Sequence, residues 1–459
     1  MKSIFLSTTL ALIGLSSFSQ DLPGFRTSNY SGVSGVFSNP ANVSQNNYSW
    51  DVSLFSVSAG IGNNNASFGL QNLSDLTKEN AITDKLIADG RTSDALFSTD
   101  IKPISVLISL NRKSGIALTT RARVMLNATD LDGALAKQIA DGSSNTSFPY
   151  SINSEKDMRV AANAWSEVGL AYGYVLMDQG KHFVKAGLTA KYLAGVANAY
   201  ANVSNLNATL TQDANGEVYL TNTTGGLEIG TAGVSIDNFQ VKELTSFKST
   251  GIGADLGFIY EYRPNVEAGT KNYGNNYKIK VGLSLTDIGS IKYKKNLENS
   301  GGYTINTGNP GLNIKEISDQ PVDDLKEYFD SNPQYFTPRN SSGDSYNVNS
   351  PTMLNLDVDY KIKSMFYINA STNLNLLDNA DKAFNNNYYN SFSVTPRMER
   401  KSFGLFVPLN YNTLTNLNAG LAIKLGPLFL GSGSILTAVL KESKQADFFF
   451  GIRFGAFSN

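Results

Sequence analysis

The chain has 459 residues, with 38 Lys and Arg against 39 Asp and Glu and a formal net charge of −1. No basic excess exists to hold nucleic acid, and with no Cys and one His there can be no disulfide framework, thiolate or His-cluster metal site, or Cys nucleophile. Charged residues make up only 17%, below the roughly 25% of soluble domains, while 49 Asn, 40 Gly, 22 Tyr and 25 Phe suit many strands joined by polar loops.

Met1–Ser19 reads as a cleaved signal peptide. Lys2 precedes an apolar stretch from Ile4 to Leu15, and Ser17 and Ser19 flank Phe18 before Gln20. No later run of about 18 apolar residues follows, so no transmembrane helix is expected. That leaves a secreted or periplasmic protein, or a transmembrane barrel in a Gram-negative outer membrane. A lipoprotein is excluded, because there is no Cys to carry the lipid.

Residues 20–48 read as an N-terminal arm, and residues 49–459 as the barrel. Along the barrel region, apolar residues alternate with small or polar ones. Ile252, Ala254, Leu256, Phe258 and Tyr260 share one face; Gly253, Asp255, Gly257 and Glu261 share the other. Period two is the strand signal. It recurs over 49–59, 101–111, 115–126, 161–177, 182–196, 250–263, 277–290, 351–362, 365–376, 388–397, 402–411, 416–425, 427–433 and 446–457. About ten residues per segment matches a tilted membrane-spanning strand. A soluble β-sandwich or β-helix would also alternate, with its apolar face inward. Aromatic residues near segment ends and a Gly, Ser and charge-bearing second face favour the membrane reading. The expected fold is therefore all-β: a transmembrane antiparallel up-and-down β-barrel of about 14 strands, with an N-terminal arm or plug and short helices in the outer loops.

Connections alternate between short and long. The long ones, 60–100, 127–160, 197–249, 291–350 and 377–387, would be outer loops, which puts both termini in the periplasm. Apolar spacing predicts short helices over Asp130–Ala140, Pro321–Phe329 and around Leu73–Ala88, each packed at the barrel mouth or acting as a lid over an inlet.

The arm carries Ser31–Phe37 (SGVSGVF) and then an Asn39-Pro40-Ala41 turn. An arm with this turn before about fourteen strands resembles the FadL family of outer-membrane transporters of hydrophobic compounds, and equally the PorV-like barrels of type IX secretion. The resemblance implies that the arm folds into the barrel as a hatch. Leu283–Tyr293 (LSLTDIGSIKY), Lys424–Gly433 (KLGPLFLGSG) and Asp447–Gly455 (DFFFGIRFG) are similar to a narrower group, an uncharacterised Bacteroidota outer-membrane family with a domain of unknown function. Barrels of this kind usually end on an aromatic residue, whereas this chain ends Phe457-Ser458-Asn459; Phe457 is taken as that aromatic.

No catalytic constellation emerges, so an enzyme is not expected, and no cofactor is implied. His182 flanks a short turn on the expected periplasmic side. Asp357 and Asp359 share one strand face about 7 Å apart by strand rise, both expected to face a wet lumen. Parity places Arg121, Arg123, Glu167, Lys185, Lys191, Asp255, Glu261, Lys280, Asp357, Asp359, Lys361, Arg397, Lys424 and Arg453 inward. Mixed signs read either as a salt-bridged interior that holds the arm, with Arg121 and Arg123 foremost, or as a polar channel. Two functions are expected. One is a FadL-like passive transporter or binder of hydrophobic small molecules. The other is a PorV-like barrel that docks an outer-membrane or surface protein. Outer-membrane lipids and the barrel assembly machinery are the further partners; nucleic acid is not.

Overall fold

The computed structural model describes residues 22–67, 69, 92–141, 147–237, 239–266, 275–339, 343–377 and 382–458. The signal-peptide reading and the helix expected around Leu73–Ala88 fall outside them. The barrel strands, numbered in chain order, are β1 (Tyr48–Asn63), β2 (Thr92–Lys102, continued by Ser105–Ser109), β3 (Ser114–Asp132), β4 (Met158–Gln179), β5 (His182–Gln212), β6 (Ser249–Tyr262) and β7 (Ile279–Lys294). They continue with β8 (Met353–Lys363), β9 (Phe366–Asn375), β10 (Ser391–Glu399), β11 (Phe403–Phe406 and Leu409–Asn412), β12 (Asn416–Ala419 and Leu421–Leu425), β13 (Leu428–Ser432) and β14 (Gln445–Phe457). Each pairs antiparallel with the next. The last pairs with β1 from Tyr48↔Phe457 to Gly62↔Gln445, and this closes the 14-strand barrel. Closure leaves no unpaired edge, the condition for sheet structure in lipid.

The two faces settle the choice between sandwich and membrane barrel. Ile252 is 79% exposed, and Leu256 and Phe258 on the same face are exposed too, while Asp255 between them is buried. Leu356, Val358 and Tyr360 are exposed around the buried Asp359. The apolar face points outward, opposite to a soluble core. Leu170, Leu188, Leu283, Leu417 and Leu430 extend the belt around the wall, and Tyr174 and Tyr360 at one rim and Tyr192 and Tyr411 at the other border it. No helix of the described residues is long and apolar enough to cross a membrane.

Both ends of the barrel chain lie at the short-turn end, where Tyr48 meets Phe457. Proline interrupts two strands: Pro103 splits β2, and Pro408 splits β11. A proline has no N–H to give the ladder.

Three of the long connections hold more structure than the sequence suggested. β5 is 31 residues long, far beyond a membrane crossing, and its upper half leaves the barrel. There it pairs with Tyr150–Asn153 on one side and Val218–Gly233 on the other. Gly301–Asn306 and Phe336–Arg339 complete a second sheet region, continuous with the barrel ladder through β5. The helix expected at 130–140 is observed as Gly133–Asp141, and that at 321–329 as a 3-10 turn, Val322–Asp324, leading into Leu325–Asp330. They pack not on the barrel mouth but on this second sheet, in a core of Leu135, Leu210, Tyr303, Phe329 and Phe336.

Candidate functional site

The arm lies inside the barrel as three short 3-10 turns, Phe25–Thr27, Gly32–Phe37 and Pro40–Val43. Asn39 caps the third: its Oδ1 accepts from Ala41 N at 3.0 Å, and Pro40 follows at a position that needs no N–H. The Asn39 amide then donates to the wall, to Phe258 O and Leu283 O. Pro40, Ala41 and Asn39 are all buried.

Room for this turn comes from one row of glycines. Gly115, Gly173, Gly187 and Gly257 are direct register partners across β3, β4, β5 and β6. A Cβ at Gly187 would sit 2.3 Å from Pro40 C and O, at Gly115 2.4 Å from Val43 O, and at Gly257 2.1 Å from Asn39 Oδ1. A strand glycine lacks a side chain to pack, and here it permits backbone to lie on backbone. Ser284 ends the row and donates to Ser38 O at 2.6 Å.

Three polar clamps fix the rest of the arm. Glu399 accepts from Ser28 Oγ at 2.7 Å and from the Asn29 amide at 2.7 Å. Arg397 holds Asp359 with two 2.6 Å bonds and reaches Glu399 at 3.1 Å. Arg453 bridges Asp51, the Tyr30 carbonyl and Tyr48 Oη, while Asp51 accepts from Val33 N at 2.7 Å. Lys185 donates to Ser44 O at 2.9 Å. An apolar contact completes the set, as Phe25 stacks on Phe429 with centroids 4.4 Å apart, beside Phe406 and Phe449. The resemblance stretches at 424–433 and 447–455 thus supply Phe429, Phe449 and Arg453 to the arm's seat.

The remaining predicted charges divide by position. Arg121, Arg123, Glu167 and Asp255 join Lys102, Lys191, Asp100 and Asp287 in one buried network across β2 to β7. Arg121 binds Asp100, Arg123 reaches Asp287 at 2.6 Å, and Lys191 reaches Asp255 and Asp287 at 2.7 and 2.6 Å. This corrects one expectation: Arg121 and Arg123 pair with wall carboxylates rather than with the arm's polar groups. Arg121 meets the arm at Phe37, whose ring lies 5.8 Å from its guanidinium and 5.2 Å from Lys102 Nζ, while Arg123 lies over Trp165 of the wall. The wet lumen expected at Asp359 is also corrected, since that carboxylate is fully enclosed under Arg397 and Tyr277. Asp357 lines a small cavity beside the arm with Lys280 and Asn42. Glu261 pairs with Arg263 near the short-turn end. His182 sits at that same end, exposed, with Nδ1 2.9 Å from Tyr260 Oη.

The opposite mouth is closed by residues 382–390, part of which the periodicity assigned to a strand beginning at 388. β10 begins at Ser391 instead. Asn386 donates to Asn127 Oδ1 at 2.9 Å and Ala161 O at 2.7 Å, Asn198 donates to Phe384 O, and Asn385 accepts from Asn349 N. Phe384 packs on Tyr346 and Tyr200. Each asparagine amide bridges the lid to a different strand, so the lid covers the lumen without a ladder of its own. Between lid and arm lies a chamber of about 90 Å³, with Tyr388 and Tyr389 from the lid, Pro23, Arg26 and Phe37 from the arm, and Arg123, Asp287, Asn373 and Asn410 among its walls. Below the arm a vestibule of about 540 Å³ opens, lined by Tyr30, Lys361, Glu399 and Arg400 among others.

Several of these residues escaped sequence reasoning for definite reasons. Asp100 and Glu399 fall one or two residues outside the segments drawn at 101–111 and 388–397. Asp287 was hidden by a bulge. The register with β6 slips between Leu285 and Ile288, and Asp287 takes φ 59°, which turns an outward parity inward. The TDIG run inside Leu283–Tyr293 was the available signal.

The chain belongs to a family of unknown function (DUF5723), whose model matches residues 40–433. No curated protein matches it. Similar solved structures include a Pseudomonas aeruginosa FadL homologue, at 10% identity and TM-score 0.43 over 94% of this chain and 95% of that one. The Ralstonia pickettii toluene transporter TbuX matches at 11% and 0.44 over 97% and 100%, and the P. putida toluene transporter TodX at 8% and 0.41 over 94% and 95%. At such values the barrel assignment rests on this chain's own ladder.

Proposed function

We propose that this protein is an outer-membrane barrel that passes small molecules by displacing its arm and lid. It would be exported by a signal peptide, inserted by the barrel assembly machinery with both termini in the periplasm, and would perform no catalysis. The observation that carries the reading is a chamber lined by both the lid, through Tyr388 and Tyr389, and the arm, through Pro23, Arg26 and Phe37. A barrel needed only as a wall can be filled by side chains; two separate corks around a space suit occlusion and release. The clamps at Glu399 and Arg453 are polar, so loss of a few side-chain bonds frees the arm.

Hydrophobic compounds are the cargo class implied by the FadL resemblance, and the test addresses movement before cargo. The chain lacks Cys, so a Ser38→Cys, Ser284→Cys pair would be the only thiols; both positions already carry a side chain, and the Ser284 hydroxyl lies 2.6 Å from the Ser38 carbonyl, so a disulfide or a short reducible cross-link there would tie the arm to the wall. Oxidation should stop uptake of toluene and of a small sugar alike, and reduction should restore it. Uptake unaffected by the bridge would sink the mechanism. A docking barrel is the second reading, favoured by the second sheet, which stands on the upper half of β5 outside the barrel. Recovery of the barrel without a stoichiometric partner after cross-linking in intact cells would count against it.

A further inference from the structure

The vestibule below the arm carries a charge imbalance. Its wall presents Lys361 from the end of β8, and Arg400 and Lys401 from the turn between β10 and β11. Glu399 is the only acidic residue in its lining, and that carboxylate is already held by Ser28, Asn29 and Arg397. Lys361 donates to the Asn275 carbonyl at 2.6 Å, and Lys401 lies 4.9 Å from the Phe457 ring centre. Among the described residues none of the three cations has an ion-pair partner. Arg400 and Lys401 are exposed, as is Lys363 at the turn between β8 and β9. The wall network above the arm does the opposite and sets a carboxylate against Arg121, Arg123 and Lys191. One unpaired surface lysine is ordinary. Three cations around one concavity of about 540 Å³, the size of a ligand site, call for an anion.

Shape selects the occupant. β9 and β10 stand between β8 and β11, and neighbouring strands lie about 4.8 Å apart, so the cations span about 10–14 Å of the rim. A single carboxylate or phosphate reaches one end of that arc. An extended chain covers it in about four residues, with alternate side chains on one face. Arg400 can take a carboxylate through two parallel bonds, and the lysines act as point charges. Tyr30, Tyr367 and Phe403 give the methylene groups of such side chains a surface to lie on. The concavity lies inside the rim, whereas the apolar belt faces outward, so lipid headgroups are on the other side of the wall.

We propose that the vestibule is the docking site for an acidic segment, rich in Asp or Glu and about four residues long or longer, of a periplasmic protein. The proposal goes beyond transport and rests on the transport reading only for the side of the membrane that the short turns face. Tyr30 belongs to the arm, so an occupant of the vestibule touches the arm.

The test uses the full-length barrel in detergent and fluorescently labelled hexaglutamate, hexaserine and hexalysine, followed by anisotropy. Saturable binding of hexaglutamate alone is expected, weaker at about 0.3 M salt than at low salt. Lys361→Gln with Arg400→Gln should weaken it about tenfold. Lys113→Gln with Lys181→Gln removes as much charge from turns elsewhere on the rim and should leave it unchanged. All variants should keep the heat-dependent gel shift of a folded barrel. Equal losses in the two pairs would mean general attraction to a basic rim and overturn the site. Displacement of the peptide by citrate or inorganic phosphate at its own concentration would make this a small-anion site and overturn the segment. Absence of saturable hexaglutamate binding overturns the proposal outright. Orientation is read separately, with Lys113→Cys as the sole thiol. Its labelling by a membrane-impermeant maleimide in intact cells would put the short turns outside and overturn the periplasmic partner, whatever the peptide does.

Discussion

Asp287 shows how one residue organises the wall. Its φ of 59° places it on a bulge, where its carboxylate meets both Arg123 and Lys191 and its N–H donates to Asp255 at 2.7 Å. Removing one partner of a buried ion set leaves uncompensated charge, typically about 3–5 kcal/mol. Asp287→Asn, which tolerates the same backbone, should therefore lower the thermal midpoint followed by circular dichroism; an unchanged midpoint would remove the network's structural role. Gly187 makes the complementary case. Gly187→Ala places a Cβ against the Pro40 backbone, so the arm should unseat while the wall still folds. Trypsin cleavage after Arg26 in the folded barrel should become fast, and slow cleavage would show that the row is not the arm's seat. The inward charges could be read from parity because strands alternate. Their partners could not, because pairing depends on register, bulges and segment ends a residue or two from where periodicity fades. The glycine row was visible only as Gly at mid-strand; its alignment needed the ladder.

Among the elements, the lid and the arm have opposite sequence signatures. The arm was legible from its Asn-Pro turn and Gly spacing, which dictate tight backbone geometry. Residues 382–390 read as a loop leading into a strand, because Asn-Asn-Asn followed by Tyr-Tyr has no periodicity. Their order comes from amides that reach Asn127, Ala161 and Asn349 on three other parts of the chain. Replacing 383–389 by a Gly-Ser linker should expose the chamber to one side only. Liposome permeability should stay low while the arm remains clamped, and full opening by this change alone would show that the arm is no barrier. The second sheet escaped for a related reason. Val218–Gly233 and Gly301–Asn306 do alternate, but they lie in stretches whose length matched outer loops, and the 31-residue run of β5 was cut at a membrane's thickness.

For the molecule as a whole, the apolar exterior, closed ladder and polar interior describe a barrel in lipid, and all three follow from one period-two pattern with its apolar side turned outward. What the whole adds to the parts is two barriers in series, one polar-clamped at Glu399 and Arg453, the other tied by asparagine amides. The measurement that tests this most directly is conductance in planar bilayers for the wild type, the Gly-Ser lid replacement, Glu399→Ala with Arg453→Ala, and all changes combined. The account predicts a closed wild type, small or brief openings in each partial variant, and large steady conductance only in the combination. A wild type that conducts steadily, or a combined variant that stays closed, would contradict it.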